Sequence, residues 1–523
     1  VVIDLFTSVN LLPGDRHNQR LLSYVHPPDW QNPPATGIYD LVVIGAGTAG
    51  LVVAAGAAGL EIGLKIALIE KNLMGGDCLN FGCVPSKCLI RSSRVMGELQ
   101  RAISKKSALR CAYGIEVPGN IKADFGSVMA RMRQIRADIS HNDSVQRFTD
   151  LGIDVFLGAA TFTSGHSLVV GDQTLNFKKA VIATGARAAV LTIDGLAEAG
   201  FLTNETVFSL TALPDRLAVI GGGPIGCELA QALQRLGTQV TLFHRHSHLL
   251  NKEDPEAAAI VQQSLVQDGV EIITDAQLER VELTTMGKQI TYQTPAGQKT
   301  LTVDEILVGA GRSPNVSGMG LEAIGVNYDA RLGVMVNDYL QTSQPHIYAA
   351  GDVCMNWKFT HAADAAARIV IKNTLFSPFG LGRSKLSDLV MPWVTYTDPE
   401  IAHVGLDEAT ANRQNIAYKI IKIPLTNVDR AIADGETNGF LKILHQANSD
   451  QILGATFVAS HAGEMISEIT TAIVGKIGLS QLSTVIHPYP TQAEAIKKAA
   501  DAYRRTLLTP NSRRLLKGLS KLA

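Results

Sequence analysis

Apolar positions along the chain fall twice into the same order: a short β-branched run, a cluster of glycines, then apolar residues at helical spacing. The first copy is YDLVVIGAGTAGLVVAAGAAGL from Tyr39; the second is DRLAVIGGGPIGCELAQALQRLG from Asp215. Each predicts a buried strand that turns sharply into a helix. Leu41 to Leu60 carries no charge and is long enough to cross a bilayer. Its β-branched start and its glycines at Gly45, Gly47, Gly50, Gly56 and Gly59 favour a strand and a buried helix instead. AVIATGAR from Ala180 and ILVGAGRSPN from Ile306 each read as a strand ending in a glycine turn. HIYAAGDVC from His346 reads the same way and is followed by the helical THAADAAARIVI from Thr360. From about Asp388 the style changes: MPWVTYTDPEIAHVGL and GFLKILHQANSDQILGATFVA predict antiparallel strands, with helices from about Ser460.

This order predicts an α/β fold of two Rossmann-like dinucleotide-binding domains followed by a C-terminal α+β domain. A chain of 523 residues, 46% hydrophobic and 18% charged, has the length and composition of a multidomain globular protein. Its formal net charge of −1 gives no global attraction to nucleic acid, so none is expected as a partner. Six cysteines are too few for a secreted disulfide scaffold. Cys111, Cys227 and Cys354 are isolated, so no four-ligand zinc spacing appears and no metal site is expected. A reducing, cytoplasmic setting follows as the expectation.

Each glycine cluster is a G-x-G-x-x-G: Gly45, Gly47 and Gly50 in the first, Gly221, Gly223 and Gly226 in the second. The first glycine permits the turn, the second lets backbone approach a pyrophosphate, and the third lets helix and strand pack closely. The helix N-terminus then faces the phosphates with its positive end. Two such motifs in strand–turn–helix context point to two dinucleotide sites. The residue ending the second strand of each unit separates the cofactors. LKIALIEKN places Glu70 where a carboxylate can bond a ribose 2′-hydroxyl, as FAD or NAD requires. TQVTLFHRHS offers His244, Arg245 and His246 and no acid, which suits a 2′-phosphate. FAD is therefore expected first and NADPH second; NADH, with Arg245 a solvated surface charge, is the alternative. Asp352, at a strand end, is placed to bond a ribityl hydroxyl of FAD.

GGDCLNFGCVPSKC, residues 75 to 88, sets Cys78 and Cys83 five apart with Lys87 one turn on. A structural disulfide, half of a metal site and a working redox pair all accommodate that spacing. Pro85 suits a first helical turn, so Cys83 is expected at a helix N-terminus, where a thiolate is stabilised.

With this motif, AAGDV and the two glycine turns in order, residues 38 to 505 resemble the class I flavoprotein disulfide reductases. These include glutathione reductase, dihydrolipoamide dehydrogenase and mercuric reductase. The resemblance makes Cys83 the thiolate beside the flavin and Cys78 the interchange thiol, and it pairs Lys87 with Glu228. It implies hydride transfer from NADPH to FAD, then reduction of the disulfide, then reduction of an acceptor at Cys78. Cys88, Cys111, Cys227 and Cys354 remain small buried residues.

The resemblance divides the chain into an N-terminal extension (1–37), an FAD domain in two parts (38–186 and 311–387), an NAD(P)H domain (187–310), a dimerisation domain (388–505) and a basic tail (506–523). The FAD contacts it implies begin with Gly45, Gly47, Thr48, Ala49, Gly50, Glu70 and Lys71. They continue with Gly76, Asp77, Cys78, Lys87, Ala160, Ala183, Thr184 and Gly185. Arg312, Gly351, Asp352, Thr360, His361 and Ala362 complete them. For NADPH they are Gly221, Gly223, Ile225, Gly226, Glu228, His244, Arg245, His246 and Gly311.

Two departures set the branch. Most of these reductases end H-P-T-x-x-E, whose histidine protonates the leaving thiol. Here HPYPTQAE matches Pro490, Thr491 and Glu494 and puts Tyr489 at the histidine position, as in mercuric reductase, with His487 two residues upstream. His487 as the acid, through a different loop, is the alternative reading. Tyrosine, with a pKa near about 10, is a poor base at neutral pH. Conversely, no cysteine follows Cys354, whereas mercuric reductases carry a C-terminal cysteine pair. The expected function is thus an NADPH oxidoreductase acting on Hg(II), a small disulfide or another soft electrophile. A glutathione- or dihydrolipoamide-type reductase and a flavin-bound redox sensor are the alternatives. A homodimer with a shared active site is implied. Residues 1 to 37 read as a proline-rich extension packed on the surface. The tail carries Arg504, Arg505, Arg513, Arg514, Lys517 and Lys521 without an acid and suits weak contact with an anionic membrane.

Overall fold

The computed structural model describes residues 11–103 and 121–522; Cys111 lies outside them. The first unit begins with helix α1 (Arg16–Val25), strand β1 (Ile38–Ile44), helix α2 (Thr48–Ala58) and strand β2 (Ile66–Glu70). Helices α3 (Gly76–Asn80), α4 (Cys83–Ile103) and α5 (Phe125–Ser140) follow. Strands β3 (Ile153–Leu157), β4 (Ala160–Ser164), β5 (Ser167–Val170) and β6 (Gln173–Ile182) complete its N-terminal part. β1 pairs in parallel with β2 and β6 and is buried on both faces, which explains its unbroken apolar run. The uncharged stretch from Leu41 is thus β1 and α2. Among the described residues, no helix is long and apolar enough to cross a membrane.

The second unit repeats the plan with β7 (Arg216–Ile220), α6 (Pro224–Leu236), β8 (Gln239–Phe243), β9 (Glu271–Ile273) and β10 (Glu305–Val308), in sheet order β9-β8-β7-β10, all parallel. The chain then returns: β11 (Ile347–Ala349) pairs with β6 in the first sheet, and α7 (Thr360–Leu375) packs on α2. The third unit is an antiparallel sheet of β12 (Pro392–Thr395), β13 (Glu400–Gly405), β14 (Tyr418–Pro424), β15 (Phe440–Gln446) and β16 (Ile452–Ala459), ordered β12-β13-β16-β15-β14. Helices α8 (Ala462–Val474) and α9 (Glu494–Thr506) cover it.

Close packing fixes both glycine turns. A Cβ on Gly50 would sit 1.7 Å from Gly45 O, and one on Gly226 1.8 Å from Gly221 O, so neither site admits a side chain.

The N-terminal segment is more than a surface extension, and that expectation is corrected. Its prolines flank a helix, α1, capped by Asp15, whose Leu21 and Val25 are fully buried in the core of the first unit. Each such side chain is worth about 1.5–3 kcal/mol of burial. At the other end, helix α10 (Pro510–Leu519) buries no residue, so its basic side chains and its leucines Leu515, Leu516 and Leu519 face solvent together.

Candidate active site

The redox segment is held by backbone contact with the first glycine turn. Gly76 adopts a φ of +56° and a Cβ there would lie 2.6 Å from Gly47 Cα. Only glycine allows that approach. The two cysteines, both thiols here, are thereby carried to the edge of a cavity of about 1200 Å3. Cys78 lies within α3, and Cys83 is the first residue of α4. The Cys83 sulfur stands 3.3 Å from Thr360 Oγ1, and Thr360 is the first residue of α7. Two helix N-termini thus converge on one sulfur, and both favour negative charge there.

Electrostatics split the pair. Hydrogen bonding from Cys78, then Thr360 and the charge of Lys87, draws the Cys83 thiol below the usual cysteine range against the opposing effect of burial. The same shared hydrogen bond, with burial, pushes Cys78 up. Of the two, Cys83 is thus the one whose surroundings favour the thiolate, and Cys78 the one whose surroundings favour the thiol. Lys87 is oriented from two directions: Glu228 Oε2 at 2.8 Å and the Tyr396 ring, with the ammonium 4.4 Å from its centroid. Tyr396 N–H also donates to Glu228 Oε1 at 2.9 Å, so all three units meet at the lysine.

Helix α4 repeats that arrangement every seven residues, the spacing of one helix face. Arg94 donates to Glu400 at 2.6 Å, and Arg101 donates to Asp398 at 3.0 Å, whose carboxylate also takes Arg235. Lys87, Arg94 and Arg101 fasten the helix that begins with Cys83 to the third unit, directly or, for Lys87, through Tyr396 as well. That spacing was readable in the sequence; Tyr396, Asn204 and Phe208, which also line the cavity, carried no local signal.

Most expected FAD contacts line this cavity: Gly45, Gly47, Thr48, Ala49, Glu70, Lys71, Gly76, Asp77, Ala160, Ala183, Thr184, Gly185, Arg312, Gly351, Asp352, Thr360 and His361. Gly50 and Ala362 do not; both are packed behind the wall. A Cβ on Gly185 would meet nothing within 4 Å, so bare backbone faces open space, as a bulky planar group requires. Arg312 bridges Asp77 of the redox segment and Asp352 after β11. Burial raises Asp352, while Arg312 opposes the shift.

The glycines of the second turn lie outside the cavity, although Pro224, Ile225, Glu228 and Leu229 of the helix that follows line it. There His244 Nδ1 accepts from Gly222 N–H at 3.1 Å, while its Nε2 is buried without a partner. Burial, then His246 and Arg245, lowers the His244 pKa, so a neutral ring presents an N–H at Nε2. Such an orphaned donor beside Arg245 matches a phosphate oxygen, and Gly223 leaves the turn open, with nothing within 4 Å of an added Cβ. Gly221 and Gly226 shape the turn rather than the cavity; Gly311 belongs to neither, its O accepting from Ala189 N–H at 3.1 Å.

Tyr489, His487 and Glu494 do not join the cavity of their own chain. Tyr489 is 71% exposed and donates to Asp429 at 3.0 Å; neighbouring Ile486 is 92% exposed. His487 is turned inward onto Glu468 at 2.8 Å. Glu494 opens α9 beside Lys498 and keeps a buried, unpartnered Oε2. Of the other cysteines, Cys227 is buried, but Cys88 and Cys354 are only part-buried, which corrects the expectation for them; Cys88 borders a small pocket next to Cys83.

Comparison with known proteins decides the family. The pyridine nucleotide-disulphide oxidoreductase profile matches residues 39–367, and the dimerisation domain of that family matches residues 391–500. The chain belongs to this family. It is 34% identical over 464 residues to a mercuric reductase of Staphylococcus aureus, covering 89% of this chain and 82% of that one. It is 32% identical over 481 residues to a dihydrolipoyl dehydrogenase of Thermus scotoductus, covering 89% and 98%. Among solved structures, the HOCl-induced flavoprotein disulfide reductase RclA of Escherichia coli superposes with a TM-score of 0.77 at 27% identity, covering 88% and 99%. Family membership brings FAD, a pyridine nucleotide and a homodimer built on the third unit.

Proposed function

We propose that this oxidoreductase takes electrons from NADPH and passes them through Cys78 and Cys83 to a soft acceptor, either Hg(II) or a small disulfide. The reading is carried by the Cys83 sulfur, set between the N-termini of α4 and α7, beside Lys87 and at the cavity wall. The bare backbone at Gly185 supports FAD, and the unpartnered His244 Nε2 supports NADPH over NADH. When bound, FAD supplies hydride acceptance from the nicotinamide and delivery of an electron pair to the disulfide.

The chain's own residues do the rest. The Cys78–Cys83 disulfide takes up two electrons and one proton; the S–S bond breaks, Cys78 keeps the proton and Cys83 remains a thiolate. Lys87, aligned by Glu228 and Tyr396, and Thr360 stabilise that charge. With a disulfide acceptor, Cys78 Sγ displaces one thiol and Cys83 displaces the second. The protein disulfide re-forms, and two thiols leave with one proton from Cys78 and one from water. In the homodimer, Tyr489, Glu494 and His487 approach the cysteines of the second copy and set the acceptor.

A dihydrolipoyl- or glutathione-type disulfide reductase is the second reading, supported by the similarity to a dihydrolipoyl dehydrogenase. Steady-state NADPH oxidation with Hg(II), lipoamide, oxidised glutathione and quinones identifies the acceptor: turnover with lipoamide or oxidised glutathione but not Hg(II) favours the second reading. The proposal expects Hg(II)- or disulfide-dependent turnover that is lost in Cys78→Ala. Equal turnover in Cys78→Ala with every acceptor would contradict it.

A further inference from the structure

Residues 11–37 precede the matched family region, yet they hold the redox segment directly before its first cysteine and, through Arg136, between its two cysteines. Before the cysteines, Met74 N–H donates to Val25 O at 3.1 Å, and the His26 ring meets Asn72 O. Between the cysteines, Arg136 Nη1 donates to Asn80 O at 2.6 Å, the last carbonyl of α3. The other fork of the same guanidinium, Nη2, donates to Asn18 Oδ1 at 2.6 Å. Asn18 is itself fixed within α1, its N–H on Asp15 at 2.9 Å and its Nδ2 on Pro13 O at 2.8 Å. Asp15 also pairs with Arg133 at 2.5 Å.

Asn18, Asn80 and Arg136 are 1%, 0% and 2% exposed, so water cannot replace a lost partner. Arg136 Nε and Asn80 Oδ1 have no partner, which leaves the two Nη contacts to fix the geometry. A planar fork serves two acceptors on separate elements with a fixed geometry that a flexible ammonium holds less well. Asn80 Nδ2 then ties the segment to itself through Met74 O at 3.1 Å and Gly76 O at 2.9 Å. Cysteines that alternate between bonded and dithiol states need Cβ atoms about 3.5–4.5 Å apart, a tolerance a free loop does not hold.

We propose that the N-terminal segment is a strap that fixes the redox segment, with Asn18 and Arg136 as positioning residues for the Cys78–Cys83 pair. The proposal rests on the redox reading above. It is tested on purified holoenzyme by two measurements: the equilibrium of the Cys78–Cys83 disulfide with dithiothreitol, and the pH profile of Cys83 alkylation by iodoacetamide. Asn18→Ala, which leaves the Arg136–Asn80 contact in place, and Arg136→Gln are expected to shift the equilibrium by about tenfold, the scale of one buried charge-assisted hydrogen bond. The alkylation profile should move to higher pH, and Arg136→Lys should restore it in part. Trp30→Phe removes a bond to Val155 O from the same segment without touching the redox segment, and should leave both measurements unchanged. Folded Asn18→Ala and Arg136→Gln proteins with wild-type equilibrium and profile would overturn the strap. Equal shifts in Trp30→Phe would also overturn it, because they would trace to general stability. A wild type with no reducible pair would instead overturn the redox reading.

Discussion

At the first glycine turn, Glu70 Oε2 accepts from Ala46 N–H at 2.7 Å; at the second, His244 Nδ1 accepts from Gly222 N–H at 3.1 Å. The two residues end equivalent strands and satisfy the equivalent backbone donor. The fold therefore needs an acceptor at this point and does not need an acid. That leaves the charge of the residue free to choose the nucleotide. Glu70 spends both oxygens on backbone, Oε1 taking Asn72 N–H at 2.8 Å; burial raises its pKa and those bonds oppose the rise. His244 keeps Nε2 unspent and sits beside Arg245 and His246. On the proposed reading, the carboxylate of the first turn disfavours a second phosphate and the spare donor of the second favours one.

The comparison breaks most severely at the helix–strand contact. Gly50→Ala and Gly226→Ala each drive a Cβ to within 2 Å of a carbonyl. Gly50→Ala should purify without FAD. Gly226→Ala should keep its FAD but lose about 100-fold in NADPH-dependent turnover, equivalent to about 3 kcal/mol of overpacking. Flavin absorbance and steady-state kinetics read the two separately; loss of FAD from Gly226→Ala would mean the turns do not act independently. His244→Glu sharpens the contrast by giving the second turn the acceptor of the first. It should raise KM for NADPH about 10–100-fold while KM for NADH changes little, the scale of one lost charge-assisted bond plus repulsion. The smallest effect belongs to Glu70→Gln, which keeps one carbonyl acceptor for Ala46. FAD should dissociate about 3–10-fold more readily, measured by equilibrium dialysis of the flavin.

The same contrast marks what the sequence made legible. Both glycine turns, Glu70, His244 and the cysteine segment are contiguous strings, because strand, turn and helix packing is local in the chain. The seven-residue spacing of Lys87, Arg94 and Arg101 gains its meaning only from the structure, where Glu400 and Asp398 of the third unit face α4. Helix α1 was hidden by the prolines around it and by a face with few apolar residues. Its partner Arg136 lies 118 residues beyond Asn18, a distance no local pattern spans. Tyr396 was unreadable for the same reason: its contacts to Lys87 and Glu228 exist only after three units close around α4. Tyr489 was legible as a departure from the family ending, but its contact with Asp429, 60 residues away, was not.

The central claim is that Cys83, drawn below the ordinary thiol range by Cys78, Thr360 and Lys87, holds negative charge beside the flavin in the reduced pair. A lowered pKa means the thiolate persists at neutral pH and is lost only as pH falls through its own value. Anaerobic dithionite titration of the holoenzyme tests this most directly. The account predicts four electrons per subunit in wild type, a long-wavelength thiolate–flavin band after the first two, and fading of that band on acidification. Uptake of only two electrons, with no such band at any pH, would contradict it.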